Sequence, residues 1–324
     1  MAFTLHRATL ALATPLGTPL TGDTLFGQLC WALREAQGET ELTRRLDGYT
    51  HGQPWLVVSD GFPAGYLPKP TLPQHFEPAR QPEERKAAKK KRWVPVDLAA
   101  RPLAELLASD RVADDAKAYG QAPQRTVQAH NTIDRHTGTT GTGEFAPYSL
   151  SQTFHAASQK IDLYCVLDDN RVTPDEVRQL ITAIGHTGFG RDASTGLGKF
   201  EVLDLQTAVP PAPTFAKAYW TLAPCAPQGQ GFDGEKSYWR VLTRFGRHGN
   251  AHALAANPFK NPLLLAATGA VFVPTADFTS RPFVGQGLGG KSADGQGRLS
   301  KTEPATVHQG YAPVLPLQME SIAS

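Results

Sequence analysis

A glycine-rich basic segment at positions 188–199 carries the residue types that bind phosphate groups. Glycine lets the backbone turn its N–H groups toward an anion, and guanidinium, ammonium and hydroxyl groups donate hydrogen bonds to phosphate oxygens. The same pattern suits a helix-to-strand connection whose glycines only provide positive φ angles, so both interpretations stand. The candidate binding residues of this segment are Gly188, Phe189, Gly190, Arg191, Ser194, Thr195, Gly196 and Lys199.

A second glycine-rich segment, at positions 285–292, has the spacing of a nucleotide-binding P-loop, with Lys291 and Ser292 in the phosphate-binding places. A working P-loop leaves a buried strand and begins a helix. Pro282 precedes this segment, and the glycines within 293–297 disfavour a helix after it. We therefore interpret it as a loop that lines RNA or a neighbouring subunit, through Gly285, Gln286 and Gly287.

The composition excludes several other classes of protein. The 324-residue chain has 32 Lys and Arg against 30 Asp and Glu, so a nucleic-acid surface must be a local patch. Its three cysteines are widely spaced and form neither a CxxC metal pair nor an even disulfide framework. The sequence shows no secretion signal, no apolar run of about eighteen residues, and no acidic or histidine cluster with metal-ligand spacing. We expect a cytoplasmic protein that has no cofactor or metal and contacts no membrane.

The first half predicts the order strand, helix, strand, long insertion, strand, helix, strand. Short or alternating apolar runs predict the strands, and apolar residues at helical spacing predict the helices. We interpret Asp23 as a capping carboxylate of the first helix and expect Gly185 to end the second. The order is that of an α+β ferredoxin-like unit, also described as split βαβ or RRM-like. The predicted strands are 3–13, 55–59, 161–167 and 200–205, and the helices begin at Thr21 and Thr173.

The insertion, at about 68–150, is long for a compact domain, and insertions of this kind are more often functional or disordered than idle. Its segment 80–92 contains seven Lys or Arg against two Glu, and Trp93 follows. A solvated surface excursion is the simplest interpretation of such a charge run.

A β-rich second half begins after a proline-rich stretch at 210–213. We predict two domains, residues 1–208 and 209–324, in which the second is a degenerate copy of the ferredoxin-like unit and the arrangement is tandem. The strand candidates of the second half are 219–223, 238–243, 263–267, 270–273 and 314–317.

Four motifs in the first half resemble the RAMP superfamily, and more closely the Cas-five-like fourth subunit of the Csm complex in type III-A CRISPR interference. They occur in the family's order on the predicted split-βαβ framework, and Lys69 belongs to the second of them. The second half resembles the family only in having a late glycine-rich loop, and its residues are not assigned one by one. The motifs are GDTLFGQLCW at 22–31, VSDGFP with LPKP at 58–63 and 67–70, HNTIDR at 130–135, and the glycine-rich segment at 188–200.

The resemblance implies a non-catalytic RNA-binding subunit built from tandem RAMP domains. Related proteins hold the repeat-derived 5′ tag of the CRISPR RNA at the foot of a ribonucleoprotein. They lie next to the large polymerase-like subunit, an adjacent backbone RAMP subunit and the nearby target RNA. Arg191 is then the candidate for a bidentate phosphate contact, and Phe189 either stacks on a base or is buried within the loop. Lys69 is an RNA-binding candidate through its motif.

The resemblance also places an inserted β-hairpin thumb late in the insertion, where related proteins turn one nucleotide out of the stack. Ile133 is then an apolar wedge or a packing anchor, and His130, Asn131 and Arg135 hold the displaced nucleotide or its phosphate. The alternative is a hairpin whose polar residues satisfy only their own backbone.

Two other functions are compatible with the sequence. A metal-independent endoribonuclease that processes CRISPR RNA, as some RAMP relatives do, would use His130, His155 or His186 as general acid or base. A pure scaffold would contact only protein, and its RNA affinity would not depend on Arg191.

Overall fold

The computed structural model describes residues 2–78, 81–143, 146–249, 252 and 256–319. The α-helices are α1 (Gly22–Gln37), α2 (Glu39–Leu46), α3 (Pro82–Lys90), α4 (Leu103–Ala108), α5 (Asp115–Tyr119) and α6 (Pro174–Thr187). The strands are β1 (Phe3–Leu12), β2 (Leu56–Val58), β3 (Phe62–Pro63), β4 (Tyr66–Pro68), β5 (Trp93–Pro95), β6 (Gln124–His130), β7 (Tyr148–Phe154), β8 (Lys160–Asp168), β9 (Phe200–Thr207), β10 (Ala218–Thr221), β11 (Val241–Arg244), β12 (Leu263–Ala266), β13 (Val271–Phe272), β14 (Phe283–Gly285), β15 (Leu288–Gly289), β16 (Val307–His308) and β17 (Tyr311–Leu317).

The first half forms an antiparallel sheet with the order β2-β8-β1-β9. Because α1 follows β1 and α6 follows β8 along the chain, this order is that of a split βαβ unit. β1 is paired on both sides, with Phe3 opposite Asp168 of β8 and Leu12 opposite Phe200 of β9. The short strand β3 also pairs with β8.

The two helices of this unit share one core with the sheet. Leu25 and Leu29 of α1 and Val177 and Ile181 of α6 are buried there, at the helical spacing that the sequence predicts. The Thr173 hydroxyl caps α6 by accepting a hydrogen bond from the Glu176 N–H at 3.2 Å. The predicted strands and helix starts of the first half are therefore confirmed to within a few residues.

The predicted end of the second helix at Gly185 is wrong. α6 continues to Thr187, and Gly188 follows it with a φ of 102°. Gly185 lies where the helix touches β9, since a Cβ atom there would stand 2.2 Å from the carbonyl oxygen of Phe200. Close packing of helix on strand therefore explains this glycine.

The insertion is folded, and part of it shares a core with the second half of the chain. Leu103 and Leu106 of α4 pack in one buried cluster with Trp220 of β10 and Leu317 of β17. The basic segment forms α3, whose Lys and Arg side chains are all exposed. β6 and β7 pair from Gln124 opposite Phe154 to His130 opposite Tyr148, and this pair with its connection is called the arm below.

The second half is β-rich, as predicted. Its main sheet has the antiparallel order β13-β10-β17-β14, and β11–β12 and β15–β16 form two short ribbons. No α-helix occurs among the described residues after 208. The protein is thus a mixed α/β structure with antiparallel sheets, while the boundary at 208 and a second ferredoxin-like unit stay predictions. Within the described ranges, no helix is long and apolar enough to cross a membrane.

Candidate nucleic-acid interface

The glycine-rich segment forms a loop between α6 and β9, which we call the glycine loop (188–199). It turns through five positive φ angles, one of them at Asp192 (62°) and the others at glycines. The loop is held against residues 13–18, which follow β1. The hydrogen bonds that hold it run from the Gly198 N–H to the Pro15 oxygen (2.8 Å), from the Lys199 N–H to Thr14 Oγ1 (2.8 Å) and from the Arg191 N–H to Thr18 Oγ1 (3.0 Å).

Part of the glycine loop is available to an anion. The N–H groups of Ala193 and Ser194, at the beginning of a short 3₁₀ turn, have no acceptor in the described part of the chain. The side chains of Ser194, Thr195 and Lys199 are exposed in the same loop. Free N–H groups, hydroxyl groups and an ammonium group are the donors that bind a phosphate.

Arg191 joins the glycine loop to the arm. Its guanidinium Nη2 donates to the carbonyl oxygen of Ser151 in β7, and its Nε donates to Asp192 Oδ2 at 3.1 Å. The side chain remains 45% exposed, so its outer face is open to a ligand. The predicted phosphate contact of Arg191 stays a prediction, and the arginine also has a positioning role that the sequence did not reveal.

The predicted stacking of Phe189 on a base is wrong. Its side chain is completely buried in the core of the first half, as the alternative interpretation expected. Gly198 packs tightly against it, since a Cβ atom at Gly198 would stand 2.2 Å from the Phe189 carbonyl oxygen. Phe189 therefore anchors the glycine loop and has no surface for a nucleotide.

Six of the seven residues of β6 and three of the seven residues of β7 are exposed. His130 stacks on Tyr148 with ring centroids 5.1 Å apart and an angle of 8° between the rings. Beyond this pair, Asn131, Ile133 and Arg135 lie at the tip, where Ile133 is 60% exposed. An apolar side chain exposed between polar ones is the arrangement that a wedge between nucleotides requires.

Leu16 and Thr153 connect the base of the arm to the glycine loop. Their backbone N–H and C=O groups exchange two hydrogen bonds of 2.9 Å, which fasten β7 to residues 13–18. Since the same residues hold the glycine loop, the structure brings the loop and the arm together. Ser151, with which Arg191 bonds, lies two positions before Thr153.

The second glycine-rich segment lies elsewhere. Phe283 of β14 contacts Phe3 with ring centroids 5.1 Å apart, whereas the glycine loop lies against residues 13–18 at the other end of β1, roughly 30 Å away along the strand. A Cβ atom at Gly285 would stand 2.2 Å from the Gly310 oxygen, and one at Gly287 would stand 2.4 Å from the Tyr49 oxygen. These two glycines therefore serve close backbone packing, and the structure does not bring them to the glycine loop.

The remaining residues of that segment do not form a P-loop. Leu288 and Gly289 of this segment form β15, and Ser292 Oγ donates to Asp294 Oδ1 at 2.5 Å in a turn that no helix continues among the described residues. The Gln286 side-chain amide donates to the Gln228 oxygen at 3.4 Å, so it is occupied within the second half.

Lys69 lies in a large cleft between the base of the arm, the insertion and the second half. The cleft has a volume of about 1230 Å³. Lys69 Nζ forms an ion pair of 2.5 Å with Glu77, so its charge is already compensated. The sequence did not indicate this cleft, because its walls come from segments more than one hundred residues apart, such as Arg92 and Arg240.

Two carboxyl groups at the beginning of α1 are held in contrasting environments. Thr21 is the N-cap residue and makes no side-chain cap, while Asp23, predicted as the cap, accepts the Thr24 N–H at 2.9 Å and pairs with Arg244 at 2.6 Å. Burial alone would raise the pKa of Asp23, but His308 and Arg244 outweigh it and lower the pKa to about 2. Asp23 therefore joins the two halves of the chain.

The pKa of Asp60, which belongs to the second motif, is shifted in the opposite direction. Its Oδ1 accepts the Gly22 N–H at 2.7 Å and its Oδ2 accepts the Thr268 hydroxyl at 2.5 Å. Burial raises the pKa of Asp60 to about 7, against these two hydrogen bonds. The carboxyl group is thus a partly protonated member of the cleft wall near neutral pH.

The three histidines of the alternative enzymatic interpretation do not form one site. His130 and His155 lie at opposite ends of the arm, roughly 20 Å apart along β7, and His186 is exposed near the end of α6. Burial lowers the pKa of His155. In the described part of the chain, no group of three or more His, Cys, Asp or Glu is arranged to hold a metal ion.

Solved structures share this fold, although no protein-family model and no curated protein matches the sequence. A chain of a Csm1-Csm4 cassette in complex with cA4 has a TM-score of 0.58 at 17% identity, covering 98% of this chain and 99% of that one. A chain of the cassette in complex with pppApA gives 0.57 at 15% identity, covering 99% and 100%. A chain of a Csm3-Csm4 subcomplex of a type III-A CRISPR-Cas interference complex gives 0.57 at 11% identity, covering 96% and 99%.

Csm4 is the component common to these assemblies. This chain has the fold of Csm4. The likeness extends over nearly the whole chain, including the second half, which the sequence motifs could assign only in kind. The resemblance to Csm subunits that the first half predicted is therefore confirmed at the level of the fold.

Proposed function

We propose that this protein is a non-catalytic RNA-binding subunit of a type III CRISPR interference ribonucleoprotein in the cytoplasm, where it serves antiviral defence. It holds the 5′ repeat-derived tag of the CRISPR RNA at the base of the complex. The observation that carries the proposal is the junction of the glycine loop and the arm, at which Arg191 bonds with Ser151, on a chain with the fold of Csm4.

The two parts of the junction have complementary tasks. The turn at Ala193 and Ser194, with Lys199 and Arg191 beside it, binds backbone phosphates of the tag. The arm is the thumb, and Ile133 at its tip enters the base stack and displaces one nucleotide. Single-stranded RNA is recognised in this way, because its unstacked bases can be splayed and held individually.

The protein contacts the large polymerase-like subunit and an adjacent backbone RAMP subunit, with the target RNA nearby. Exposed apolar side chains on and beside the β11–β12 ribbon support a partner contact in the second half. They are Trp239 (41% exposed), Val241 (69%), Phe245 (75%), Phe259 (64%) and Leu264 (64%). Such a cluster is uncommon on a protein that functions alone.

Substitution at the tip of the arm tests the proposal. The assembled complex would be prepared with Ile133→Asp and, as a control on the same exposed tip, with Thr137→Asp. RNA carrying the tag, with 2-aminopurine at successive positions, reports unstacking as a rise in fluorescence. We expect one position to respond in the unaltered complex and in the control, and Ile133→Asp to abolish the rise and weaken binding about 5- to 150-fold. Equal behaviour of both variants would contradict the thumb.

The same material separates the proposal from an endoribonuclease. We expect no cleavage of precursor RNA by the unaltered protein, and His130→Ala to weaken tag binding. Cleavage that His130→Ala or His186→Ala removes would instead establish the enzyme.

A further inference from the structure

The cleft that contains Lys69 is too large for an ordinary small-molecule site. Its volume of about 1230 Å³ exceeds the roughly 300–1,000 Å³ typical of pockets for small ligands. Its walls are the base of the arm with Thr153 and His155, the insertion with α3 and Trp93, and the second half with Arg240. A cleft of this volume, with walls from three parts of the chain, suits a chain molecule.

The charges in the cleft favour an anionic occupant. Three carboxyl groups line it, and each has a partner in the protein. Glu77 pairs with Lys69, Asp115 pairs with Arg92, and Asp60 accepts hydrogen bonds from Gly22 and Thr268. Four cations in the cleft have no ion-pair or hydrogen-bond partner for their side chains among the described residues: Arg85, Lys89, Lys91 and Arg240.

α3 presents one of its faces to the cleft. Arg85, Ala88 and Lys89 line it, whereas Lys86 and Lys90, about 100° further around the same helix, do not. Ala88 is the half-buried residue of this helix, and the four Lys and Arg side chains of the helix itself are exposed. Residues at i and i+4 share a helix face, so Arg85 with Lys89 and Lys86 with Lys90 form two matched pairs that point in different directions.

Two aromatic side chains line the same cleft as these cations. Trp93 and Tyr119 both line the cleft and are half-buried, with ring centroids 6.0 Å apart. The Trp93 indole N–H is fixed by Asp115 Oδ1 at 2.7 Å. Fixed, partly exposed rings beside unpaired cations are the features of a groove for single-stranded nucleic acid.

We infer that this cleft binds a segment of single-stranded RNA, with Arg85, Lys89, Lys91 and Arg240 on its phosphates and Trp93 and Tyr119 against its bases. The inference rests on the proposed function only in that the strand continues from the tag site. Leu16 and Thr153, which fasten the arm beside the glycine loop, also line the cleft, so the two surfaces are continuous.

The matched pairs on α3 provide the test. The full chain would be prepared as Arg85→Glu with Lys89→Glu, and as Lys86→Glu with Lys90→Glu, which changes the charge equally. Binding of a fluorescein-labelled 20-nucleotide oligouridylate, which has no tag, would be measured at several salt concentrations. We expect the cleft-facing pair to weaken binding about tenfold or more and to reduce the log–log salt slope by about 1.4, while the outer pair changes affinity less than about twofold.

Arg240→Glu lies in the second half, far from α3 in the sequence, so its effect cannot come from local disruption of that helix. We expect this substitution to weaken RNA binding as well. Equal effects of the two α3 pairs, or no effect of either, would overturn the inference. Unchanged RNA binding with lost binding of polyglutamate by the cleft-facing pair would overturn it in favour of an acidic protein partner. The proposed function is tested separately, because Ile133→Asp acts on tag-bearing RNA and leaves the cleft intact.

Discussion

The pKa values of two carboxyl groups at the beginning of α1 are shifted in opposite directions, because the partners of the two groups differ. Asp23 pairs with Arg244, and Asp60 accepts only neutral donors from Gly22 and Thr268. The second-half partners lie 221 and 208 positions away in the sequence. Local pattern could place Asp23 at a helix start, but it could not predict a partner that only the tertiary fold supplies.

The raised pKa of Asp60 predicts how stability depends on pH. The ordinary value is 3.8 and the folded value is about 7, so the folded protein binds more protons than the unfolded chain in this window. The contribution of Asp60 to stability is complete below pH 3.8 and is lost as the pH rises through 7. We expect Asp60→Asn to remove this fall, because an amide does not ionise in this range. The amide can still accept from the Gly22 N–H and can donate to the Thr268 oxygen.

Urea unfolding from pH 4.5 to 8 measures this effect. Asp97→Asn is the control, since Asp97 forms an exposed ion pair with Arg111 and should alter the profile little. A wild-type profile that Asp60→Asn leaves unchanged between pH 4.5 and 7 would show that the Asp60 carboxyl group is not held as described.

At the scale of elements, the sequence predicted the four strands and two helices of the first unit, because their apolar periodicity is local. It did not distinguish glycines that pack from glycines that only turn. Gly185 and Gly198 touch backbone atoms of Phe200 and Phe189, whereas a Cβ atom at Gly196 would meet open space. The sequence likewise could not predict whether the Phe189 side chain is buried or exposed, because an aromatic residue in a loop has the same local pattern in both cases.

Two glycines inside helices give a direct comparison. A Cβ atom at Gly27 of α1 would meet nothing within 4 Å, while one at Gly185 of α6 would stand 2.2 Å from the Phe200 oxygen. We expect Gly27→Ala to raise the free energy of unfolding by about 0.5–1 kcal/mol, because alanine is the better helix former. Gly185→Ala should lower it by about 1–3 kcal/mol, since helix and strand must separate.

Chemical denaturation of both variants measures whether the free energy of unfolding rises or falls. Stabilisation by Gly185→Ala would contradict the close approach of α6 and β9. Destabilisation by Gly27→Ala would contradict the open environment of that position.

At the scale of the whole molecule, the halves are joined by a core that the sequence did not reveal. α4 of the insertion packs with β10 and β17, although the segments are more than one hundred residues apart. The cleft results from the same arrangement. Because its other walls come from distant segments, the sequence indicates only a charge run at 80–92 and no cleft. The motifs found the glycine loop and the arm, and the tertiary contacts supplied the cleft beside them.

The exposed apolar ribbon predicts a second whole-molecule property. Val241 and Leu264 lie on one face of β11–β12, since Thr243 is opposite Leu264 and Val241 is opposite Ala266. We expect Val241→Ser with Leu264→Ser to reduce self-association of the isolated chain, without lowering Tm by more than about 2 °C, and to reduce its recovery in the assembled complex. Sedimentation velocity and co-purification measure these effects.

Val209→Ser is the control, because Val209 is 88% exposed but lies outside the ribbon. If the control and the ribbon variant associate equally, the ribbon is not a partner surface.

Sequencing the RNA that purifies with the protein and its genomic neighbours tests whether the protein holds the 5′ tag of the CRISPR RNA. We expect RNAs that share one constant 5′ tag and that are depleted when the tip residues 131–137 of the arm are replaced by a short glycine linker. An assembly without RNA, or with RNA of random 5′ ends that this replacement leaves unchanged, would contradict it.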